Sequence, residues 1–426
     1  MPLKVLFVPI LGDGHINPCI AIATQLVADG HRAVFTANDV WRPKLAAYGI
    51  ETVELANRNV TDDGAQRLMS LGIIGGASPI EKVRLASGHA EFWTKHAQNM
   101  DTQLAAVLPA IRPDVIVVDQ VWTLPSVVLS GIPCVWCWSV GPLVMLDDER
   151  TPPGESGLSA TGDPRMWHEF RQLVRDVNQE KWRPFNDWVV GRGCEPLPEL
   201  CFYNPSRYLH IYGYPLELDY QDIRPLGRNY VRFNNFKGTA RHVTFAVPPE
   251  LAAKPGKLVY FSLGSVCPVD VQNMRRLVAI LAKSPHRFIV SMGPKHKEYT
   301  LADNMWGAES VPQLSILPLV DLVITHGGLN TVTESLYFGR PMIAMPVFTE
   351  QYDNAQRLHD KGFGLRLDAY KCSEEELLAA IETLLNDKAM TERLAEVSRR
   401  IQTDNSLAKV SQLIEDFVQN PRKYID

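Results

Sequence analysis

Two stretches of this chain hold side chains whose types and spacing could do chemistry. In Gly12-Asp-Gly-His15-Ile-Asn-Pro18 an imidazole stands where an apolar run, Lys4–Pro9, gives way to a helical pattern. A strand followed by G-x-G at a helix start is also how a dinucleotide-binding turn begins, with Asp39 at the distance of a ribose-binding acid. Asn17 in the third glycine position, and the bulk of His15 where backbone would have to approach a pyrophosphate, favour catalysis instead. A histidine at a helix N-terminus is biased by the helix dipole towards its neutral form, which a general base requires. Asp119, ending the apolar run Val115–Val118, is the candidate to accept the distal imidazole N–H and fix the tautomer. A strand-terminal Asp can equally be a helix cap.

The second stretch is Thr325-His-Gly-Gly-Leu-Asn-Thr-Val-Thr-Glu334, which runs from an apolar strand into a helix near Gly328. Unpaired N–H groups and the dipole at such a helix start make an anion site, and Asn330 and Thr331 add side-chain donors, so a diphosphate could dock there. Glu334 lies four residues beyond Asn330 on the same helix face, placed to accept the hydroxyls of a ribose. Downstream, Glu350-Gln351 at another strand-to-helix junction pairs a carboxylate with an amide, the mixture of acceptors and donors that sugar hydroxyls need. Each stretch also reads as an ordinary glycine-rich turn or polar helix start.

The elements that position these groups follow a rhythm of short β-rich runs and helical patterns. Lys4–Pro9, Ile16–Asp29, Ala33–Thr36, Pro113–Asp119, Leu124–Ser130 and Pro133–Trp138 predict a parallel sheet in βαβ order, because continuous runs such as Val115–Val118 suit strands covered on both faces. The rhythm restarts at Lys257–Leu263 and continues through Arg287–Met292, Asp321–Thr325, Pro341–Met345 and Gly364–Leu367. Two α/β units follow: residues 1–233 and 256–405, joined by a linker at 234–255 where Lys237-Gly, Pro248-Pro and Pro255-Gly interrupt any pattern. Glu374–Leu385, Met390–Gln402 and Leu407–Val418 read as helices, and residues 406–426 are expected to pack back on the first unit.

Composition narrows the classes. The 426 residues are 46% hydrophobic and 21% charged, which fits a folded globular chain and excludes a disordered or collagen-like one. The net charge of −5 supplies no basic field for nucleic acid. Seven cysteines, an odd number spread along the chain, suit reduced thiols, and Cys134-x-x-Cys137 lies in an apolar run without a second ligand pair, so it reads as small buried hydrophobes. The apolar start runs into Gly12-Asp-Gly-His without a cleavage signal, and no apolar run reaches membrane-spanning length, so a soluble, cytoplasmic protein with no membrane partner is expected.

These motifs resemble the UDP-dependent family 1 glycosyltransferases of the GT-B fold, most of all their soluble bacterial-type macrolide and flavonoid branch. The family's donor signature is matched by Val311-Pro-Gln313, Thr325–Glu334, Gly339-Arg-Pro-Met342 and Glu350–Ala355, and its amino-terminal Gly-x-Gly-His-x-x-Pro by Gly12–Pro18. The resemblance implies two Rossmann-like doubly wound domains facing a cleft. His15 would be the base and Asp119 its partner. Ser265, His326, Gly328, Asn330 and Thr331 would hold the diphosphate, Glu334 the ribose, Val311 and Gln313 the nucleoside, and Glu350 with Gln351 the transferred sugar. Two positions depart from the pattern. Ser310 replaces a tryptophan that stacks on uracil, leaving dTDP-sugars as an alternative and Trp306 as another stacking residue; Glu350 replaces an Asp.

The resemblance further implies inverting transfer, with glucose from UDP-glucose the expected donor sugar and the sugar nucleotide a co-substrate rather than a cofactor. The sequence holds no D-x-D triplet, so no metal is expected, the helix start at 328–331 substituting for one. A small hydrophobic acceptor, phenolic, flavonoid or macrolide-like, is expected from the aromatic content of the first unit, with Phe92, Trp93, Trp138, Gly141 and Met145 as lining candidates, and the 58–87 stretch is expected to form a lid. Two other classes remain to be weighed: an NAD-dependent oxidoreductase using Gly12–Pro18, and a catalytically silent ligand-binding protein.

Overall fold

A computed structural model describes residues 2–55, 62–87, 90–237 and 243–425 of the chain. The valine- and isoleucine-rich runs form two all-parallel sheets. The first contains β1 (Lys4–Pro9), β2 (Arg32–Ala37), β3 (Glu51–Glu54), β4 (Val115–Asp119), β5 (Cys134–Trp138), β6 (Leu209–Gly213) and β7 (Tyr230–Phe233), in the order β3-β2-β1-β4-β5-β6-β7. The second contains β8 (Leu258–Ser262), β9 (Arg287–Ser291), β10 (Met305–Ala308), β11 (Leu322–Thr325), β12 (Met342–Ala344) and β13 (Gly364–Arg366), in the order β10-β9-β8-β11-β12-β13.

Alternation along the strands sorts side chains to opposite faces. Val5, Phe7, Val115, Val117, Val135 and Cys137 pack on one face with Ile16, Ile20 and Leu26 of the 13–28 helix. Leu6, Val8, Ile116, Val118, Trp136 and Trp138 pack on the other face with Leu104 and Leu108 of the 90–111 helix. Both faces being apolar is what makes the runs continuous rather than alternating.

Each sheet reverses its strand order once, between β1 and β4 and between β8 and β11. A crevice opens at the carboxyl ends of the strands at such a reversal, because the two flanking connections leave to opposite faces. Register brings Pro9 beside Asp119 in the first sheet and Ser262 beside Thr325 in the second. The two chemically interesting stretches therefore leave the two reversal points.

Four strands went unread in the sequence. Glu51–Glu54 is a polar, partly exposed edge, and Met305–Ala308 is a short edge broken by Gly307. Leu209–Gly213 and Tyr230–Phe233 follow the 28-residue helix Pro164–Gly191, whose length disguises the βαβ rhythm there. The terminal helix Val410–Gln419 buries Val410, Ile414 and Phe417, spaced to form one stripe, in the core shared by β1 and the 13–28 helix, and Ser411 Oγ donates to Asp29 Oδ2 at 2.6 Å. Among the described residues no helix is long and apolar enough to cross a membrane, and the cysteines are all free thiols.

Candidate active site

Gly12, extended at φ −153°, starts the 13–28 helix, and His15 falls in its first turn with its N–H bonded to the Gly12 carbonyl at 3.0 Å. The imidazole is one quarter exposed, whereas Asp119 is buried at the end of β4. His15 Nδ1 lies 3.2 Å from Asp119 Oδ2 and 2.7 Å from Ser139 Oγ, and Ser139 Oγ donates to Asp119 Oδ1 at 3.0 Å. A carboxylate only accepts, and the serine proton is directed at it, so Nδ1 carries the hydrogen and Nε2 keeps the lone pair. Ser139 was missed in the sequence; the readable signal is its position directly after β5, the strand next to β4.

Burial disfavours the imidazolium, but Asp119 and, more weakly, Glu350 more than offset it, so the His15 pKa lies above its ordinary value. The dipole at the helix start acts in the opposite direction, favouring the neutral ring. The adjacent carboxylate outweighs a partial charge.

On the second domain, β11 ends at Thr325 and the chain turns through His326, Gly327 and Gly328 into the helix Leu329–Tyr337. The His326 ring presses on both Gly264 and Gly328: a Cβ at Gly264 would meet its Nε2 at 2.6 Å, and one at Gly328 would overlap the same atom. Burial lowers the His326 pKa to about 4, so the ring is neutral and offers hydrogen bonding rather than charge. Ser265, the residue after Gly264, is exposed in the loop after β8. Asn330 Nδ2 donates to the Gly14 carbonyl, 3.1 Å away in the first domain. Thr331 is buried and its Oγ1 points to Gln313 Oε1 at 3.4 Å.

Gln313 organises the neighbourhood of Glu334. Its Nε2 donates to Glu334 Oε2 at 2.6 Å, while its Oε1 accepts from Tyr260 at 3.2 Å, a residue with no signal in the motif reading. Burial lifts Glu334 to a pKa of about 7, against the opposing pull of Gln313 and Lys237. Val311 is partly buried, Ser310 is exposed, and the Trp306 ring packs against Phe245 at 5.6 Å.

Glu350 stands at the start of the helix Gln351–Asp360 without a side-chain capping bond, and Thr349 before it, at φ +53°, donates to its Oε2 at 2.7 Å. Gln351 is buried, and its Oε1 accepts from Val347 and Phe348 N–H at 3.0 and 3.1 Å. Only its amide N–H groups remain for a ligand. Asn354, in the same motif, cross-links the halves: Nδ2 donates to the Gly327 carbonyl at 2.9 Å and Oδ1 accepts from Tyr214 at 3.1 Å.

The acceptor-lining expectations need correction. Trp138 is core: it is 2% exposed, lies near Trp136 and Tyr203, and donates from Nε1 to His210 Nδ1 at 3.0 Å. Met145 is also core, 1% exposed, because β5 and the turn after it are covered on both faces. Gly141 faces the opposite domain, where an added Cβ would meet Asn354 Oδ1 at 3.3 Å and Glu350 Cβ at 3.7 Å. Trp93 is partly exposed and lies 6.1 Å from the Trp122 ring. Phe92 belongs to the 90–111 helix, but its side chain lies outside the described residues, as do residues 58–61 of the expected lid. Asp39 is three quarters exposed and paired with Arg42 at 3.0 Å, so it is not turned towards a ligand of the Gly12 loop.

Two doubly wound domains, with a histidine–carboxylate pair at one sheet reversal and a glycine-rich turn into a helix at the other, form the GT-B architecture of glycosyltransferases. Residues 253–410 match the family model for UDP-glucoronosyl and UDP-glucosyl transferase. The chain is 24% identical over 425 residues to the oleandomycin glycosyltransferase of Streptomyces antibioticus, covering 97% of this chain and 90% of that protein. It is 32% identical over 145 residues to human UDP-glucuronosyltransferase 2B17, covering 33% of this chain but only 27% of that protein. The solved glycotransferase of kitacinnamycin superposes with a TM-score of 0.69 at 20% identity, covering 97% of this chain and 98% of that one. The spinosyn rhamnosyltransferase SpnG complexed with thymidine diphosphate superposes at 0.65 and 20% identity, covering 97% of this chain and all of that one.

Proposed function

We propose that the protein transfers a hexose from a nucleoside diphosphate sugar, UDP-glucose as the first expectation, to a hydroxyl of a small hydrophobic acceptor with inversion at the anomeric carbon. The observation that carries this reading is the His15–Ser139–Asp119 cluster facing the Gly328–Thr331 turn, close enough for Asn330 to touch the Gly14 carbonyl. His15 Nε2 takes the acceptor proton as the acceptor oxygen forms its bond to the anomeric carbon. The bond from that carbon to the diphosphate breaks on the opposite side, and the electron pair departs with the diphosphate. The N–H groups at the start of the 329–337 helix, with Asn330, stabilise the developing negative charge without a metal ion. Glu334 receives the ribose hydroxyls, and Glu350 with the amide of Gln351 receives the sugar.

A dTDP-sugar is the second reading of the donor. It is supported by Ser310, which supplies no aromatic face for uracil, and by the thymidine diphosphate held by the similar SpnG structure. The acceptor class draws support from the partly exposed Trp93 beside Trp122 and from the natural-product acceptor named for the oleandomycin enzyme. A panel of UDP-glucose, UDP-galactose and dTDP-glucose against phenolic, flavonoid and macrolide acceptors tests the whole reading. Turnover with one donor sorts the alternatives, and nucleotide binding without transfer to any acceptor refutes the enzymatic reading. A melting temperature raised by NADH but not by UDP or dTDP would restore the oxidoreductase.

A further inference from the structure

Lys82 is a charged side chain that neither the catalytic cluster nor the donor motif accounts for. It lies on the helix Pro79–Ser87, part of the first domain's excursion between β3 and the 90–111 helix, and is only 7% exposed. Its Nζ donates to the Gly75 carbonyl at 2.8 Å, to Tyr352 Oη at 2.9 Å and to the Val347 carbonyl. Three donors meet three acceptors, which is the condition for burying an ammonium at all. Burial lowers its pKa to about 8, so at neutral pH the three-proton form still dominates.

Val347 and Tyr352 belong to the second domain and bracket the Glu350-Gln351 pair. The backbone of Val347 is held at both its polar groups: its N–H donates to Gln351 Oε1, and its carbonyl accepts from Lys82 and from Tyr352 Oη, the latter at 2.9 Å. Through the Gly75 carbonyl the same Nζ ties down the glycine-rich turn, where Ile74 is buried and Gly76 sits against Tyr370, a Cβ there meeting the Tyr370 Cβ at 3.3 Å. A buried cation satisfied by neutral acceptors adds little stability over an apolar residue of equal volume, but it demands one arrangement of its partners.

We propose that Lys82 is a positioning residue that couples the seating of the 71–87 segment to the shape of the 347–351 loop, so that the donor's sugar is gripped only when this segment is docked on the second domain. The proposal rests on the reading of Glu350 and Gln351 as sugar contacts. It assigns the first domain a part in donor-sugar recognition that the donor motif, confined to the second domain, does not contain.

The test uses Lys82→Met, which keeps the stem and removes the donors, and Tyr352→Phe, which removes one acceptor and leaves Lys82 in place. UDP-glucose KM, kcat and the Kd of UDP alone are measured together with hydrogen exchange in peptides covering 71–86 and 345–352. Lys82→Met is expected to raise the UDP-glucose KM about tenfold, the worth of one hydrogen bond to a charged group, with the UDP Kd within about twofold and faster exchange in both peptides. Tyr352→Phe should move the same quantities less. Unchanged exchange in either peptide, or a UDP Kd that weakens in parallel with KM, overturns the coupling. A Gln351→Ala control separates the two layers: if it leaves the ratio of UDP-glucose to UDP affinity intact, the sugar reading fails, and the exchange data still decide the coupling.

Discussion

Asn330 Nδ2 donates to the main-chain carbonyl of Gly14 across 3.1 Å, joining the first turn of the 329–337 helix to the first turn of the 13–28 helix. The positive ends of two helix dipoles thus converge on one gap from opposite domains, each with unpaired N–H groups. Asn330→Asp replaces the donor with a carboxylate that repels both the Gly14 carbonyl and a diphosphate. Nucleoside diphosphate affinity is expected to fall roughly 10- to 100-fold, the range for losing a hydrogen bond to a charged group. Titration calorimetry with UDP and dTDP measures it, and an unchanged Kd would take Asn330 out of the phosphate site.

His15→Ala should lower kcat roughly 10²–10⁴-fold, the usual contribution of a general base, while leaving UDP binding in place. Steady-state kinetics beside a binding isotherm checks both halves of the statement.

The pH dependence of kcat/KM follows from the direction of the His15 shift. A base must be unprotonated, so the rate rises with pH through the His15 pKa, which Asp119 holds above the ordinary histidine value. Asp119→Asn removes that stabilisation and leaves desolvation, so the acid limb should move to lower pH while the plateau falls. Ser139→Ala removes the hydroxyl that bridges the pair, and a plateau loss of about tenfold with unaltered UDP affinity is expected, comparable to removing a partner that orients a catalytic ligand. A Ser139→Ala plateau equal to wild type would reduce that residue to a bystander.

Glu334 carries a second pH signature. With its pKa raised to about 7 by burial, the carboxylate proposed to accept ribose hydroxyls becomes protonated as pH falls through neutrality, and nucleotide affinity should decline on the acid side. Glu334→Gln should bind UDP weakly at every pH between 6 and 8. A wild-type Kd that is flat over that interval contradicts the assignment.

In the proposed mechanism helix N–H groups rather than a bound cation neutralise the leaving diphosphate, so turnover should survive EDTA. Activity abolished by chelation and restored by Mg²⁺ would reverse that expectation.

Legibility differed from residue to residue for physical reasons. Continuous apolar runs identified β1, β4, β8 and β11, because a parallel strand covered on both faces leaves no room for alternation. The turn into a helix at Gly328, and the alignment of Asn330 and Glu334 one helical turn apart, follow from spacing alone. Ser139 and Tyr260 were not, since each meets its partner only through neighbouring strands whose order no local pattern specifies. Trp138 and Met145 were misread because aromatic and sulfur side chains suit a core and a pocket equally, and only burial separates the two. The amino-acid sequence by itself determined the strand-to-helix turns that carry His15, His326 and Glu350, because glycine placement, capping and apolar period are local. The tertiary structure alone decided that the Gly14 and Asn330 turns meet, that Ser139 bridges His15 to Asp119, and that Lys82 spans 265 residues of chain to hold Val347. Contacts at that separation depend on how two domains pack, which no spacing encodes.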